Sequence, residues 1–227
     1  KDKFGHALVW ANIMRRFAWY GIDFNHSLQA RFYGAPISWK QRKITQIKDF
    51  LSHRHRFLIT DYSDTGIQKI LNVFKQKKID YINGYTSNIV LIAKYLQKNN
   101  LILKNICPSL KVCIVTSEML FESDKILIEK CLGVPVVNEY GASELDVIAF
   151  ENPENEWVVN AETLFVEILD ANNNPVPNGQ EGKIVVTSLD NLAHPFIRYE
   201  LGDYGIFDSN STCKKPILQK LVGRTSD

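Results

Sequence analysis

Short apolar, β-branched runs alternate with longer segments of helical period between Phe57 and Asn138, and this alternation is the strongest constraint on the fold. Strands that are separated by helices are joined through crossovers, which favour parallel pairing. The sequence therefore predicts an α/β protein with a largely parallel βαβ sheet layer over residues 58–150. The predicted strands are residues 57–60, 79–82, 111–115 and 134–138.

Three helices are predicted between these strands. Ser63 or Asp64 can cap the first helix, and Ser123 can cap the third, because these short polar side chains accept hydrogen bonds from the first turn. The second helix covers about residues 87–98, and the third ends at Gly133. The predicted apolar faces consist of Ile67, Ile70, Leu71, Phe74, Ile89, Ile92, Ala93, Leu96, Ile126, Leu127 and Cys131, with Lys130 beside the last.

The pattern changes to strict alternation beyond residue 155. Leu164, Val166 and Ile168 fall on one face of a strand, and residues 184–186 form another. Turn residues at 172–175 and 177–179 separate these runs, and a short strand is expected at 204–207. The sequence predicts an antiparallel β subdomain over residues 155–210, following the parallel layer.

Positive charge is concentrated at the front of the chain. The net charge of all 227 residues is +2, yet residues 1–57 contain 11 Lys or Arg and 3 Asp or Glu, interleaved with aromatic residues. Such a segment can bind nucleic acid or a membrane surface, or it can form a solvated helical face over an aromatic core. The second interpretation is favoured, because the aromatic spacing suits packing and no nucleic-acid motif accompanies it.

No apolar run approaches the roughly 20 residues that span a bilayer, and residues 1–16 lack the apolar core of a signal peptide. We therefore expect a cytoplasmic protein without a membrane partner. The four cysteines form no C-x-x-C pair, which favours reduced, structural thiols. Edge pairing of the antiparallel strands could produce a homodimer, but the sequence leaves the oligomeric state open.

Polar clusters follow three of the predicted strands. They are Gly84 with Tyr85, residues 116–118 (Thr-Ser-Glu) and residues 139–141 (Glu-Tyr-Gly). In open parallel sheets, ligands bind beyond the carboxyl ends of the strands, where loops diverge. Three strands thus direct polar loops toward one predicted crevice.

Three separated motifs resemble those of the adenylate-forming acyl-activating enzymes, and in particular the phenylacetate–CoA ligase-like branch. Residues 140–144 (Tyr-Gly-Ala-Ser-Glu) resemble the family motif Tyr-Gly-x-Ser/Thr-Glu. Residues 187–203, which include Arg198, Tyr199 and Asp203, resemble a longer strand-turn signature of the branch, and Gly223 with Arg224 follows in the family order. The resemblance covers about residues 79–227.

The resemblance implies a role for each matching residue. Tyr140 would pack on adenine, Ser143 would bind a phosphate oxygen, and Glu144 would hold Mg²⁺, which prefers carboxylate and phosphate oxygens. Asp203 would accept hydrogen bonds from the ribose hydroxyls, and Arg224 would contact ribose or phosphate. Ser143 and Glu144 are the implied catalytic residues.

Further positions complete the implied nucleotide site. Ser117 and Glu118 resemble the loop that borders adenine, and Glu139 and Gly141 belong to the nucleotide-binding motif around Tyr140. Residues 80–93 are similar to a weaker pattern on the substrate side of the branch. Tyr85 is the candidate for a wall of the acid pocket.

The implied reaction is attack of a carboxylate on the α-phosphate of ATP, with release of pyrophosphate and transfer of the acyl group from the adenylate to CoA. The implied cofactors and substrates are ATP, Mg²⁺, CoA and a small-molecule carboxylic acid. Two alternatives remain open: a non-catalytic nucleotide-binding or scaffold module of the same fold, and acyl transfer to another acceptor, as in capsule polysaccharide biosynthesis.

Two parts of the family pattern have no counterpart in this sequence. The family's glycine-rich phosphate loop is absent, and its catalytic lysine follows a hinge that the family marks with Asp or Lys two residues after the arginine, where this chain has Ser226. Residues 1–222 are accordingly expected to be a fragment of the large nucleotide-binding domain, and residues 223–227 the start of the hinge. Such a chain is expected to bind nucleotide better than it catalyses.

Overall fold

A computed structural model describes residues 3–32, 39–57 and 61–224. Six helices and eleven strands lie within these ranges. The helices are α1 (Lys3–Ala18), α2 (Trp39–Leu51), α3 (Asp64–Gln76), α4 (Thr86–Lys98), α5 (Leu103–Ile106) and α6 (Glu122–Leu132). The strands are β1 (Gln29–Phe32), β2 (Arg54–Arg56), β3 (Tyr81–Tyr85), β4 (Val112–Thr116), β5 (Val136–Ala142), β6 (Asp146–Glu151), β7 (Trp157–Val159), β8 (Leu164–Leu169), β9 (Glu181–Ser188), β10 (Tyr199–Phe207) and β11 (Ile217–Arg224).

The chain divides into two compact units. Tyr20–Asn138 forms the parallel unit, and Lys1–Trp19 together with Glu139–Asp227 forms the antiparallel unit. Strand β5 begins in the first and ends in the second. The predicted fold class, a parallel α/β layer followed by antiparallel strands, is confirmed.

The strands of the parallel unit run in the order β2-β1-β3-β4, and every pair is parallel. Gly84 lets β1 and β3 approach closely, because a Cβ at this position would lie 2.6 Å from Cβ of Phe32. The Phe32 ring stacks on Phe57 and Phe74, with centroids 4.5 and 6.3 Å away. These aromatic contacts lie within the apolar core between the sheet and its helices.

The first predicted strand lies mostly outside the described residues, which exclude 58–60. The observed strand β2 precedes it, and its ladder extends to Phe57, whose N–H donates to the Arg31 carbonyl at 2.9 Å. The next three predicted strands are confirmed, with starts shifted by one or two residues in β3, β4 and β5. Strand β5 is longer than predicted, because it extends to Ala142.

Helix α3 begins as predicted, with Ser63 Oγ accepting a hydrogen bond from Gly66 N–H at 3.2 Å. The prediction that Ser123 caps the third helix is wrong. Helix α6 begins at Glu122, and Phe121 occupies the capping position without a side-chain hydrogen bond. Its acidic first turn stabilises the start through the helix dipole. The helix ends at Gly133 with φ 70°, as expected.

The apolar face of α6 also differs from its prediction. Ile128, Cys131 and Leu132 are buried, whereas Ile126 is exposed. All the predicted apolar positions of α3 and α4 are buried. The sequence periodicity therefore predicts the buried face correctly in α3 and α4, the two helices with the clearest apolar stripe.

The strands of the antiparallel unit follow the order β5-β6-β7-β11-β10-β9-β8, with antiparallel pairing throughout. Leu164, Val166 and Ile168 are buried together, which confirms the predicted alternation. Both predicted turns are present, with positive φ at Asn173 and Gly179. The strand expected at 204–207 is the end of the longer strand β10.

Helix α1 packs within the antiparallel unit through a buried arginine. The Arg16 side chain is 1% exposed and donates to Glu162 Oε2 at 3.1 Å, while Arg15 pairs with the other oxygen of Glu162 at 2.7 Å. The Phe17 ring stacks on Phe150 with centroids 5.5 Å apart. Arg16 and Phe17 at the end of this helix are therefore buried within the antiparallel unit, whereas Phe4 and Trp10 are exposed.

Cys107, Cys113 and Cys131 are buried free thiols, and Cys213 is exposed. The prediction of reduced, structural thiols is met by the three buried residues. Burial raises the pKa of the Cys113 thiol far above its usual range. Across the part of the chain that the structure describes, no helix has the length and apolar character that a bilayer crossing requires.

We expect Glu162→Gln to destabilise the protein by about 1–2 kcal/mol at neutral pH, because the buried Arg16 guanidinium loses its carboxylate. Burial raises the pKa of Glu162, but a hydrogen bond from its own backbone N–H and the neighbouring Arg16 and Arg15 lower it, and the net direction is downward. The stabilisation is therefore complete above the unfolded pKa, about 4.3, and is lost as the pH falls through the folded pKa. Urea unfolding across this pH range should show the difference disappearing in acid.

The control for this substitution is Glu181→Gln, which changes an exposed glutamate at the start of β9. A loss of stability that is equal in the two variants, or independent of pH, would contradict the anchoring role of the Arg16–Glu162 pair.

A hydrogen bond joins two strands that are distant in the order of the antiparallel sheet. Tyr140 on β5 donates from its hydroxyl to Asp203 Oδ2 on β10 at 2.7 Å, although β6, β7 and β11 lie between them in the sheet. In a flat sheet these strands would be roughly 19 Å apart, at about 4.8 Å per step. The sheet must therefore curl until its β5 and β10 sides meet.

Bulges and glycines allow this curvature. The strand register shifts between Tyr140 and Gly141, between Glu200 and Tyr204, and between Tyr204 and Gly205. Bulges bend a strand and increase its twist. At Gly205 a Cβ would lie 2.8 Å from Ile184 Cδ1 and 3.2 Å from the Lys220 carbonyl oxygen, so a larger residue would require the Ile184 side chain to shift.

We expect Tyr140→Phe to lower the free energy of unfolding by about 1–2 kcal/mol, because it removes a buried hydrogen bond to a carboxylate and keeps the ring. Tyr95→Phe is the matched control. Its hydroxyl donates to Gln68 at 2.9 Å on the surface, where removal should change stability by less than about 0.5 kcal/mol. Equal effects in chemical denaturation would argue against closure through Tyr140 and Asp203.

Candidate nucleotide site

The predicted nucleotide-binding residues of the antiparallel unit come from three separate segments. Tyr140 and Asp203 are in hydrogen-bond contact, and 63 residues separate them in the sequence. Asp203 is also the register partner of Arg224 in the ladder of β10 and β11. The fold thus brings together the backbones of three motifs that are far apart in the sequence.

Asp203 is 7% exposed, and its carboxylate accepts a hydrogen bond from the Tyr140 hydroxyl. A carboxylate can accept about four hydrogen bonds, so this bond does not exclude ribose hydroxyls as further donors. Gly223, beside Arg224, has φ 120°, a conformation that favours glycine. The predicted contacts of the Arg224 side chain and the hinge at residues 225–227 lie outside the described part of the chain.

The Tyr140 ring is 8% exposed and packs in the apolar cluster of the antiparallel unit. Trp157 on β7 meets it edge to face, with centroids 6.0 Å apart and planes at 62°. Stacking on adenine needs an accessible ring face, so the ring would have to turn out of this cluster. In the structure the Tyr140 hydroxyl donates to Asp203, and packing of the ring on adenine stays a prediction.

Sequence reasoning did not identify Trp157 as a neighbour of the site. Its indole N–H is buried and has no hydrogen-bond partner among the residues that the structure describes. The residue belongs to a three-residue strand, and nothing in so short a run indicates what its side chain contacts.

Ser143 and Glu144 lie in the tight turn between β5 and β6, and both side chains are exposed. The hairpin is narrow, because a Cβ on Gly141 would lie 2.5 Å from the Asp146 carbonyl oxygen. Glu139 is half-buried and pairs in register with Phe150. The turn therefore presents a hydroxyl and a carboxylate to solvent.

The Ser143 hydroxyl and the Glu144 carboxylate are metal ligands of a kind that fits a nucleotide-bound magnesium ion better than a metal held by protein alone. No group of three His, Cys, Asp or Glu side chains within the described ranges could hold a metal. Mg²⁺ commonly takes one or two carboxylates and completes its shell with substrate phosphates and water. The single exposed carboxylate of Glu144 is suited to that arrangement.

The other predicted residues lie in the parallel unit. Ser117 directly follows β4, is exposed and has φ 69°, and Tyr85 is half-buried at the end of β3. The Glu118 carboxylate accepts hydrogen bonds from Ser87 N–H at 2.6 Å and Ser87 Oγ at 3.0 Å. Glu118 therefore stabilises the start of α4, a role that its sequence position did not indicate.

Two residues of the longer signature have structural partners. Arg198, with φ 48°, donates from Nε to Glu167 at 3.2 Å, and its backbone N–H donates to Thr187 Oγ1 at 2.9 Å. These contacts fix the chain as it enters β10, four residues before Gly202 and five before Asp203. The signature thus supports the strand that carries Asp203.

No protein-family model matches the chain. In sequence it is similar to protein CapK of Staphylococcus aureus, with 29% identity over 163 residues, covering 70% of this chain and 34% of CapK. It is also similar to phenylacetate-coenzyme A ligase of Aromatoleum evansii, with 29% identity over 124 residues, covering 52% of this chain and 28% of the ligase. The chain spans about a third or less of the length of these curated relatives.

Solved structures share the fold. A 2-hydroxyisobutyryl-CoA ligase, crystallised in an open conformation with 2-HIB-AMP and CoA, has a TM-score of 0.75 and 19% identity over 96% of this chain and 49% of its own. MatB of Rhodopseudomonas palustris with bound ATP has a TM-score of 0.65 and 15% identity, covering 96% of this chain and 44% of MatB.

The fold agreement extends over nearly the whole chain, and the sequence similarities are to CapK and a CoA ligase. Both agree with the family resemblance of the motifs around Tyr140 and Asp203. The chain therefore has the fold of these acyl-CoA ligases and is similar in sequence to CapK and to a phenylacetate-coenzyme A ligase.

Proposed function

We propose that this chain supplies nucleotide-binding residues to an enzyme that activates a carboxylic acid with ATP and transfers the acyl group to CoA. The observation that carries the proposal is the contact between Tyr140 and Asp203, with Arg224 opposite Asp203 in the ladder. Residues that are far apart in sequence, and that match family positions for adenine, ribose and phosphate, are joined in one unit.

Asp203 accepts hydrogen bonds from the ribose hydroxyls. The hydrogen bond from Tyr140 keeps the Asp203 carboxylate oriented toward them. Ser143 donates to a phosphate oxygen from the exposed β5–β6 turn, and Arg224 provides a cation for ribose or phosphate. These groups contribute chiefly by positioning the nucleotide and stabilising its charge.

Magnesium, when bound, neutralises phosphate charge and polarises the phosphoryl oxygens, and Glu144 is the residue that would hold it. Glu144 suits this role because its carboxylate is exposed in the same turn as Ser143. Glu139 and Gly141 shape the strand that leads into the turn.

The assignments in the parallel unit rest on the motif resemblance. Ser117 borders the base through its exposed loop, and Glu118 keeps that loop in place through its hydrogen bonds to Ser87. Tyr85 forms part of the wall for the acid, for which the branch suggests an aromatic compound.

One observation supports an acyl acceptor other than CoA. The match to CapK covers 70% of the chain, against 52% for the phenylacetate-coenzyme A ligase. The alternative proposal is therefore that the acyl group passes to an acceptor other than CoA. Calorimetric titration with CoA distinguishes the two, because binding favours a CoA ligase, and nucleotide binding without CoA binding favours the other acceptor.

The experiment that tests the proposed function is calorimetric titration with AMP and with ATP plus Mg²⁺. We expect dissociation constants between about 1 µM and 1 mM for the wild type. Asp203→Asn keeps the size of the side chain and should weaken binding about tenfold or more, because a charged acceptor is lost. Asp203→Ala should weaken it further.

Glu200→Gln is the matched control, because it neutralises an exposed carboxylate on the same strand, where Glu200 pairs with Lys183 at 3.0 Å. Its affinity should equal that of the wild type. Thermal melts of each variant separate loss of binding from loss of folding. Absence of nucleotide binding by the folded wild type, or equal affinities of the Asp203 and Glu200 variants, would refute the proposed site.

A further inference from the structure

A cleft lies in the antiparallel unit. It has a volume of about 760 Å³ and is formed by the end of α1, the turn between β6 and β7, and the loop between β10 and β11. We call it the Trp19 cleft, after the aromatic residue in its wall. The residues that matter for its chemistry are Arg15, Trp19, Pro153, Val158, Lys214 and Pro216.

The Trp19 cleft is separate from the proposed nucleotide residues. Tyr140, Ser143, Glu144 and Asp203 do not line it. Its volume falls within the range of roughly 300–1,000 Å³ that is typical of small-molecule sites.

Residues behind the apolar wall of the cleft hold the Trp19 ring in place. The Trp19 indole packs against Phe150 with centroids 6.2 Å apart, and the buried Arg16 guanidinium lies over the ring at 5.9 Å. Pro153, Val158 and Pro216 add rigid apolar surface. A fixed aromatic ring among such residues favours a flat, apolar ligand, because few side-chain rotations are lost on binding.

The lining carries charges of both signs, from three cationic side chains and two carboxylates. Arg15 is paired with Glu162 at 2.7 Å, and Lys215 with a glutamate outside the lining. Lys214 and Glu154 are exposed, and neither makes an ion pair with a described residue. Lys214 therefore offers a cation beside the aromatic wall that the protein has not already neutralised.

The geometry points to a second binding site in this chain: the Trp19 cleft binds a planar aromatic compound that carries one negative charge. The aromatic part lies against Trp19 and the two prolines, and the anionic group lies toward Lys214. This inference does not depend on the proposed ligase activity.

The cleft contains its own chemical reporter. Cys213 lies in the lining and is exposed, while Cys107, Cys113 and Cys131 are buried. A thiol reagent applied to the native protein should therefore modify Cys213 selectively. Occupancy of the cleft should slow that reaction.

The probe for the test is 8-anilinonaphthalene-1-sulfonate, a monoanion with a planar naphthalene ring, whose fluorescence rises in apolar surroundings. We expect saturable binding that Lys214→Gln weakens about threefold, as befits one exposed charge pair. Lys220→Gln removes an exposed lysine of β11 outside the cleft and is the matched control. Trp19→Phe should reduce energy transfer from tryptophan to the bound probe.

A labelling experiment provides the independent measurement. The probe should slow modification of Cys213 by a disulfide reagent, and prior attachment of a bulky maleimide to Cys213 should abolish the saturable binding. Asp203→Asn should leave both results unchanged. Equal affinities of the Lys214 and Lys220 variants, or an unchanged rate of Cys213 modification at saturating probe, would overturn the inference.

Discussion

The hydrogen bond between Tyr140 and Asp203 defines the geometry of the antiparallel unit. It spans four steps of the sheet order, so it exists only because β5 through β10 curl on themselves. The register shifts of β10 supply bends for this curvature, and the small volume of Gly205 leaves room for the Ile184 side chain. Within the antiparallel unit, sheet closure thus positions Tyr140 and Asp203, and the β5–β6 turn positions Ser143 and Glu144.

Much of the fold could be predicted because its determinants are local. The apolar stripes of α3 and α4 and the alternation of Leu164, Val166 and Ile168 each specify their own element. Prediction was wrong at Ser123, because α6 begins one residue earlier, at Glu122, and its start has an acidic first turn in place of a side-chain cap. Strand order and curvature depend on pairings between distant residues, which no local pattern encodes.

The candidate site shows the same division. The motif residues could be named from the sequence, but the contact of Tyr140 with Asp203 follows only from the closed sheet. The sequence likewise gave no indication that Glu118 binds the first turn of α4, or that Trp157 packs on Tyr140. These contacts join residues whose types are common in turns and strands, so composition does not distinguish them from ordinary surface positions.

The discontinuous antiparallel unit sets an order of events during synthesis on the ribosome. Helix α1 is translated before the parallel unit, and Glu162, the partner of Arg16, follows Arg16 by 146 residues. At about 5–20 residues per second, that interval lasts roughly 7–30 s. The parallel unit is a continuous segment and is translated completely within that interval. The nascent chain must therefore keep the apolar side of α1 from premature association until β6 and Glu162 have been made.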